Sequence, residues 1–147
     1  MASAPAVSVS GTMPDGWFDK TMIVYSAPLE PGKSVAANIV VARDAMGPAE
    51  TFREDCNRQI DGFATALPHF HRRQEGPGRV HDLDAFQIEF TWTSGAGSLR
   101  QRVFFIAAGG GVVVTYTATA SDADYDANDA VFQQGLASLV IAPVQRH

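Results

Sequence analysis

Cysteine is nearly missing from this sequence: Cys56 is the single one in 147 residues. No internal disulfide can form, so nothing in the chain asks for an oxidising compartment. Long apolar runs are missing too. None approaches the roughly 20 residues that a membrane-crossing helix needs. The opening residues, MASAPAVSVSGT, have neither a charged start nor a long apolar stretch, so no secretory leader is expected and the expected location is the cytoplasm. Positive charge is scarce: 11 Lys and Arg stand against 16 Asp and Glu, a formal net charge of −5. That balance gives no general attraction to nucleic-acid phosphate. The one basic cluster, His69, His71, Arg72 and Arg73, is short and reads as the solvated face of a strand.

Catalytic signatures are also absent. No serine sits in a Gly-x-Ser-x-Gly elbow. The run Gly109-Gly110-Gly111 is followed by neither Lys-Ser/Thr nor a helix start, so a turn between strands explains it better than a phosphate cradle. His69 and His71, two apart on a strand, share a face, and His81 with Asp82 or Asp84 can approach them. Two histidines and a carboxylate suit iron or zinc, but this spacing is weakly specific and solvated surface is the commoner outcome. Catalytic residues, metal ligands and cofactors are therefore left unassigned, and the chain is not expected to be an enzyme.

What is present is strand pattern. Phe86, Ile88, Phe90 and Trp92 alternate with Gln87, Glu89, Thr91 and Thr93, a period of two over four repeats. Ser94-Gly95-Ala96-Gly97 breaks the pattern as a hairpin loop. Leu99 to Ala107 resumes it, the three glycines turn the chain again, and the β-branched stretch Val112 to Thr119 follows. Upstream, Thr21 to Ala27 and Ala36 to Asp44 are strand-like, His69 to Gln74 is a short strand, and Glu75-Gly76-Pro77-Gly78 reads as a turn. Val7 and Val9 suit a short edge strand.

Two helices complete the count. Met46-Gly47-Pro48 suits a helix start, with Glu50 in the first turn. Phe52, Cys56, Ile60, Phe63 and Leu67 then form one apolar stripe, and Pro68 ends it. On that stripe Cys56 reads as a small buried hydrophobe rather than a reactive thiol. Ser121 or Asp122 suits the cap of a final helix from Tyr125 to about Leu139, with Tyr125, Phe132, Leu136 and Leu139 on its apolar side. The expected fold is α+β, a mainly antiparallel sheet of six or seven strands with two helices in the order β-β-α-β-β-β-β-α. The expected organisation is a flexible start at 1–12, one domain at 13–142 and a tail at 143–147.

One sheet face needs an explanation. Met22, Val24, Val40, Val103 and Val114 are apolar, and alternation can set them opposite the helix-packed side, with Asn38, Gln101 and Thr115 among them. A second core layer or a homodimer contact is the plain reading. A groove that binds an apolar partner and supplies a few hydrogen bonds is the sharper one.

Three stretches carry a family resemblance: Pro14-Asp15-Gly16-Trp17-Phe18-Asp19-Lys20-Thr21, Asn38 to Arg43, and Phe90-Thr91-Trp92 with Leu99 to Ile106. Together they resemble the DcrB-like domain with the PsbP-like fold, and the short form is similar to the Eag-type chaperones of bacterial type VI secretion systems. The resemblance implies a homodimer that holds the N-terminal transmembrane helices of a PAAR-containing effector in a groove before loading on the VgrG spike. It implies a groove lined by Met22, Val24, Asn38, Val40, Ala42, Gln101 and Val103. Gln101 matches the first glutamine of the family's Gln-x-Gln. Val103 stands where the second is usual, which makes this surface more apolar. The alternative is a DcrB-like or PsbP-like binding module with a different protein partner.

Overall fold

A computed structural model describes residues 11–142. The suggested strand at Val7 and Val9 and the tail at 143–147 lie outside the described residues. Six strands form one antiparallel sheet: β1 (Ile23–Ser26), β2 (Asn38–Ala45), β3 (His71–Val80), β4 (Leu83–Ser94), β5 (Gly97–Gly109) and β6 (Val112–Ser121). Their spatial order is β1-β2-β6-β5-β4-β3. Helix α1 (Phe52–Ala66) lies between β2 and β3 in the chain, and α2 (Tyr125–Ala137) follows β6. The fold class and the element order are those expected from the sequence.

Local chemistry sets the boundaries, and some differ from expectation. Helix α1 starts at Phe52 rather than at Pro48. Thr51 is its N-cap, and a capping box closes the end: Glu54 N–H donates to Thr51 Oγ1 at 3.2 Å, and Thr51 N–H donates to Glu54 Oε1 at 3.0 Å. Glu50 is spent on the preceding loop, where its carboxylate accepts from Gly47 N–H at 2.9 Å and pairs with Arg58 at 3.0 Å. At the start of α2, Asp124 is the N-cap position without a side-chain cap bond, and Ser121 Oγ accepts from Asp124 N–H at 3.2 Å.

The expected turn at Glu75-Gly76-Pro77-Gly78 is instead the middle of β3. Pro77 pairs with Phe86 there without supplying a ladder donor, which is possible because β3 is an edge strand. The chain turns at His81 and Asp82, both at positive φ (48° and 67°), a two-residue hairpin in which side-chain polarity replaces glycine. The next hairpin is also tighter than expected. Ser94 pairs with Gly97, so Gly95 and Ala96 alone make the turn.

The helices pack on opposite faces, not on one. The stripe Phe52, Cys56, Ile60, Phe63 and Leu67 of α1 meets Phe86, Ile88 and Phe90 of β4, Val103 and Phe105 of β5, and Val113 of β6. Cys56 is fully buried in this cluster, and burial pushes its thiol up to about 11. On the other face, Tyr125, Phe132 and Leu136 of α2 meet Tyr116, Ala118 and Ala120 of β6, Ile39 and Val41 of β2, and Phe104 of β5. The sheet is roughly 24 Å wide at a strand spacing of about 4.8 Å, whereas a helix is about 10 Å across. Each helix therefore covers part of one face. The two are staggered, α1 toward β4 and α2 toward β2.

Gly135 brings α2 close to the sheet. A Cβ there would stand 2.4 Å from Tyr116 Oη and 3.1 Å from Ile39 Cδ1. Tyr116 is buried, and its hydroxyl donates to the Phe132 carbonyl at 2.7 Å, which fixes that contact. Gly135→Ala gains helix propensity of up to about 1 kcal/mol but overpacks a site where about 1–3 kcal/mol is usual. Net destabilisation in a denaturant melt is expected, partly relieved when Tyr116→Phe is added. A stabilised Gly135→Ala would show that the close approach is unimportant.

Candidate functional site

The register decides which side chains share a surface. Gln101 pairs with Phe90 and Val103 with Ile88 across β4 and β5. Gln101 then pairs with Thr119, Val103 with Thr117 and Phe105 with Thr115 on β6. On β2, Asn38, Val40 and Ala42 stand opposite Thr119, Thr117 and Thr115. Val24 pairs with Val40, and Ser26 with Asn38, on β1. All of these positions lie on the face that α1 covers in part. The expectation that the groove lies opposite the helix-packed strand residues is thus corrected: Phe86, Ile88 and Phe90 share one face with Gln101 and Val103. Val114 moves to the other face, beside Ile106, Leu136 and Leu139.

Within that face the residues divide by cover. Val103 is 2% exposed beneath α1 and contributes to the core, not to a surface. Asn38, Val40, Ala42 and Gln101 are half-buried. Met22 and Val24 are exposed, each at 57%. Thr115 and Thr117 of β6 are half-buried among them. The α1 cluster reaches β6 only at Val113 and includes no residue of β1 or β2. An open half-sheet of β6, β2 and β1 remains, with α1 beside it. Thr117 and Thr119 join the expected Thr115 on this face. Their alternation along β6 was the available signal.

Hydrogen bonds tie this surface to the core. Trp92 Nε1 donates to Gln101 Oε1 at 2.7 Å, and Gln101 Nε2 donates to Thr119 Oγ1 at 2.8 Å. Next to the sheet, the segment before β1 is held by Asp19. Its carboxylate accepts from Thr21 N–H at 2.9 Å and from the Thr21 hydroxyl, and it pairs with Arg43 of β2. The Thr21 hydrogen bonds, helped by Arg43, hold the Asp19 carboxyl below its ordinary value. Trp17 and Phe18 of the same segment are exposed at 73% and 58%.

The uncovered half of the opposite face differs in chemistry. Over β3 and β4 it presents His71 beside Thr91, Gln74 beside Glu89 and Gln87 beside Gly76. Farther in, Glu89 and Arg100 are buried, with Arg100 Nε 2.9 Å from Glu89 Oε1, although the N–H is not aligned for a hydrogen bond. Arg102 lies 3.5 Å from Glu89, and Arg100 also reaches Asp126 in the first turn of α2 at 2.8 Å. Burial pushes the neighbouring Tyr125 phenol up to about 12. Arg100 lies over the Tyr125 ring at 4.9 Å, so this cluster ties α2 to the sheet. The same face also holds an apolar recess of about 340 Å³ between Ile23, Tyr25, Ile39 and Val41 and the segment that follows α2, at Leu139 and Val140. No motif in the sequence marks it.

Metal chemistry finds no support in the geometry. His71 begins β3 and His81 follows its other end, so the ten-residue strand separates them. Among the described residues, no three His, Cys, Asp or Glu side chains come together to hold a metal ion. Among the same residues no helix is long and apolar enough to cross a membrane.

The DcrB family profile matches residues 11–138. Among solved structures, the chain is similar to PA94 of Pseudomonas aeruginosa, a protein of unknown function, at 24% identity over 90% of each chain, with a TM-score of 0.79. It is also similar to LpqN of Mycobacterium tuberculosis, which is involved in cell envelope biogenesis, at 16% identity over 80% of this chain and 68% of that one, with a TM-score of 0.60. The solution structure of cyanobacterial PsbP (CyanoP) from Synechocystis sp. PCC 6803 matches at 9% identity over 90% and 98%, with a TM-score of 0.55. At these identities the three neighbours speak to the fold alone, which is PsbP-like. Among curated proteins no match is found.

Two measurements check the placement. Val40→Asp should leave the fold intact, because a half-open β2 position can hydrate a charge, whereas Val103→Asp should unfold the domain by burying an unpaired carboxylate. Circular dichroism melts separate the two, and equal tolerance would contradict the assigned cover. Asp19 provides a pH test. A depressed carboxyl contributes stability above its unfolded value and loses it as pH falls through the folded one. The Thr21 amide resonance should accordingly titrate with a midpoint below the ordinary aspartate value, and Asp19→Asn should remove that transition.

Proposed function

The chain belongs to the DcrB family, and from that premise we propose that it is a non-catalytic binding protein whose open half-sheet shields an apolar helix of a partner protein. The observation that carries this reading is the contrast between the two uncovered half-faces. Over β3 and β4 the stretch from Gln87 to Thr91 is polar, as solvent requires, and the apolar end at Val80, Leu83 and Ala85 is covered by Leu139 and Ile141. The half-face over β6, β2 and β1 presents Val40, Ala42 and Val24, with threonine methyls between them, and Met22 is exposed just before β1. Apolar area left in water costs roughly 25 cal/mol per Å², so an apolar partner face stabilises such a surface and is stabilised by it. Methionine at its margin adapts to varied shapes.

The finer form of the proposal is that of an Eag-type chaperone. The client is then the N-terminal transmembrane region of a PAAR-containing type VI secretion effector, kept from aggregating until it is loaded on the VgrG spike. Partner groups come from Met22, Val24, Asn38, Val40, Ala42 and Gln101, with α1 as the side wall. Thr117 joins them, and Val103 supports the floor from beneath α1. Dimension favours a homodimer. From β5 to β1 the surface spans three strand spacings, about 14 Å, while a membrane-crossing helix is about 30 Å long. One subunit covers half of such a helix, and two cover it all. The exposed edge of β1 and the recess beside it offer apolar surface for the second copy.

Co-expression with a soluble carrier that bears an N-terminal membrane-spanning segment of a type VI effector tests the reading. Co-purification is expected, with at least a tenfold loss of affinity for Val40→Asp and Val24→Asp variants that keep the wild-type melting profile. Binding unaffected by both substitutions would place the partner elsewhere.

A further inference from the structure

The open half-sheet is built of rows that run across the strands, and adjacent rows differ in chemistry. One row is Gln101, Thr119, Asn38 and Ser26, contributed by β5, β6, β2 and β1 in turn. Every member is polar. The row two residues along is Val103, Thr117, Val40 and Val24. Apart from the Thr117 hydroxyl it is apolar.

The polar row is fixed from its inner end. Trp92 holds the Gln101 carbonyl and Gln101 in turn donates to Thr119, at 2.7 and 2.8 Å. That arrangement orients the amide, since Oε1 must face the indole and Nε2 the threonine. It leaves the second Gln101 N–H and the Thr119 hydroxyl proton without an acceptor among the described residues. The Asn38 amide makes no side-chain hydrogen bond among them. Ser26 donates to the Ala27 carbonyl at 3.1 Å and keeps its acceptor capacity. Cover decreases outward: Thr119 is 7% exposed, Asn38 half-buried and Ser26 exposed. The row thus has oriented, unspent hydrogen-bonding groups beside an apolar strip.

We propose that this row selects its partner by a polar stripe: an apolar helix lying across the strands, with small polar side chains at i, i+3 or i+4, and i+7 set against Gln101, Thr119 and Asn38. The proposal rests on the reading that the surface holds an apolar helix, and it specifies that helix. Spacing supports it. Neighbouring row members are one strand apart, about 4.8 Å, and a helix repeats a face every 5.4 Å. Successive turns of a crossing helix therefore meet successive strands with little drift over three of them. The rows themselves are about 7 Å apart, so a helix about 10 Å across rests on both. Its polar edge meets the polar row while its apolar flank covers Val40 and Val24. In the dry contact so formed, a Ser or Thr hydroxyl without a partner is costly, and the row provides the partner.

Three soluble carriers test this, each with a 20-residue N-terminal Leu/Ala segment. The first segment carries serines at i, i+4 and i+7, the second carries the same three serines on different faces, and the third carries none. The striped segment should bind at least tenfold tighter than the scrambled one. Asn38→Leu should lower the ratio of striped to scrambled affinity at least threefold, and Asn38→Leu with Gln101→Leu should bring that ratio to within twofold. Asn38→Leu alone spares the Trp92–Gln101–Thr119 chain, so a folding defect in the double variant does not decide the outcome. Equal binding of striped and scrambled segments would overturn the polar-stripe proposal and leave the helix-binding reading standing. Failure of all three segments to bind would overturn both.

Discussion

A helix is narrower than a six-stranded sheet, and most of what is distinctive about this protein depends on that mismatch. A single-layer sheet has two faces to cover, and the described residues hold two helices, one for each. Neither is wide enough. The chain staggers them, α1 over β4 and β5 and α2 over β6 and β2. The two halves left uncovered lie diagonally across the sheet. One has become polar, and its inner charges, Glu89, Arg100 and Arg102, are paired with one another and with α2. The other has stayed apolar. Nothing in the packing of the domain itself requires Val24 or Met22 to be apolar, since both are more than half exposed.

The edges show the same division of labour. β3 is long and exposed, and it is blunted by Arg72, Arg73, Glu75, Pro77 and Arg79 and by a bulge after Arg72. These are the devices that keep an edge from pairing with other chains. β1, at the other edge, has four residues, and three of them, Ile23, Val24 and Tyr25, are large exposed hydrophobics. It is short but not blunted. Exposed apolar surface is thus concentrated at the β1 side of the molecule, where the open half-sheet and the recess lie back to back across one strand pair.

Much of the architecture was legible in the sequence, because period and punctuation are local. The stripe from Phe52 to Leu67, the alternation from Phe86 to Trp92 and the glycine turn before Val112 each reported an element correctly. What was not legible is parity. A two-residue turn at Gly95-Ala96 pairs even positions of β4 with odd positions of β5, so Gln101 stands beside Phe90. A turn longer by one residue would have placed them on opposite faces. The same limit sent Val114 to the wrong side. Pro77 misled for a different reason: its neighbours are turn-formers, and only the position of β3 at the sheet edge removes the need for an amide donor. The groove residues came from a family resemblance. The structure sets Val24, Asn38, Val40, Ala42 and Gln101 on one face, leaves Met22 exposed just before β1 and withdraws Val103 beneath α1. Thr117 and Thr119 continue the alternation that marks Thr115, whereas the recess beside α2 has no sequence signal.

The central claim is that one particular half-face is dry only when a partner covers it. Methyl NMR with a soluble paramagnetic agent reads this residue by residue. In the free protein, the methyls of Val24, Val40 and Thr117 should be strongly broadened, while those of Ile88, Val103 and Ile106 are spared. On binding an apolar helix, Val24, Val40 and Thr117 should become protected, with the Thr91 methyl, on the polar half-face, unchanged. Broadening that is equally weak at Val40 and Val103 in the free protein would contradict the account, as would protection confined to the side of Thr91.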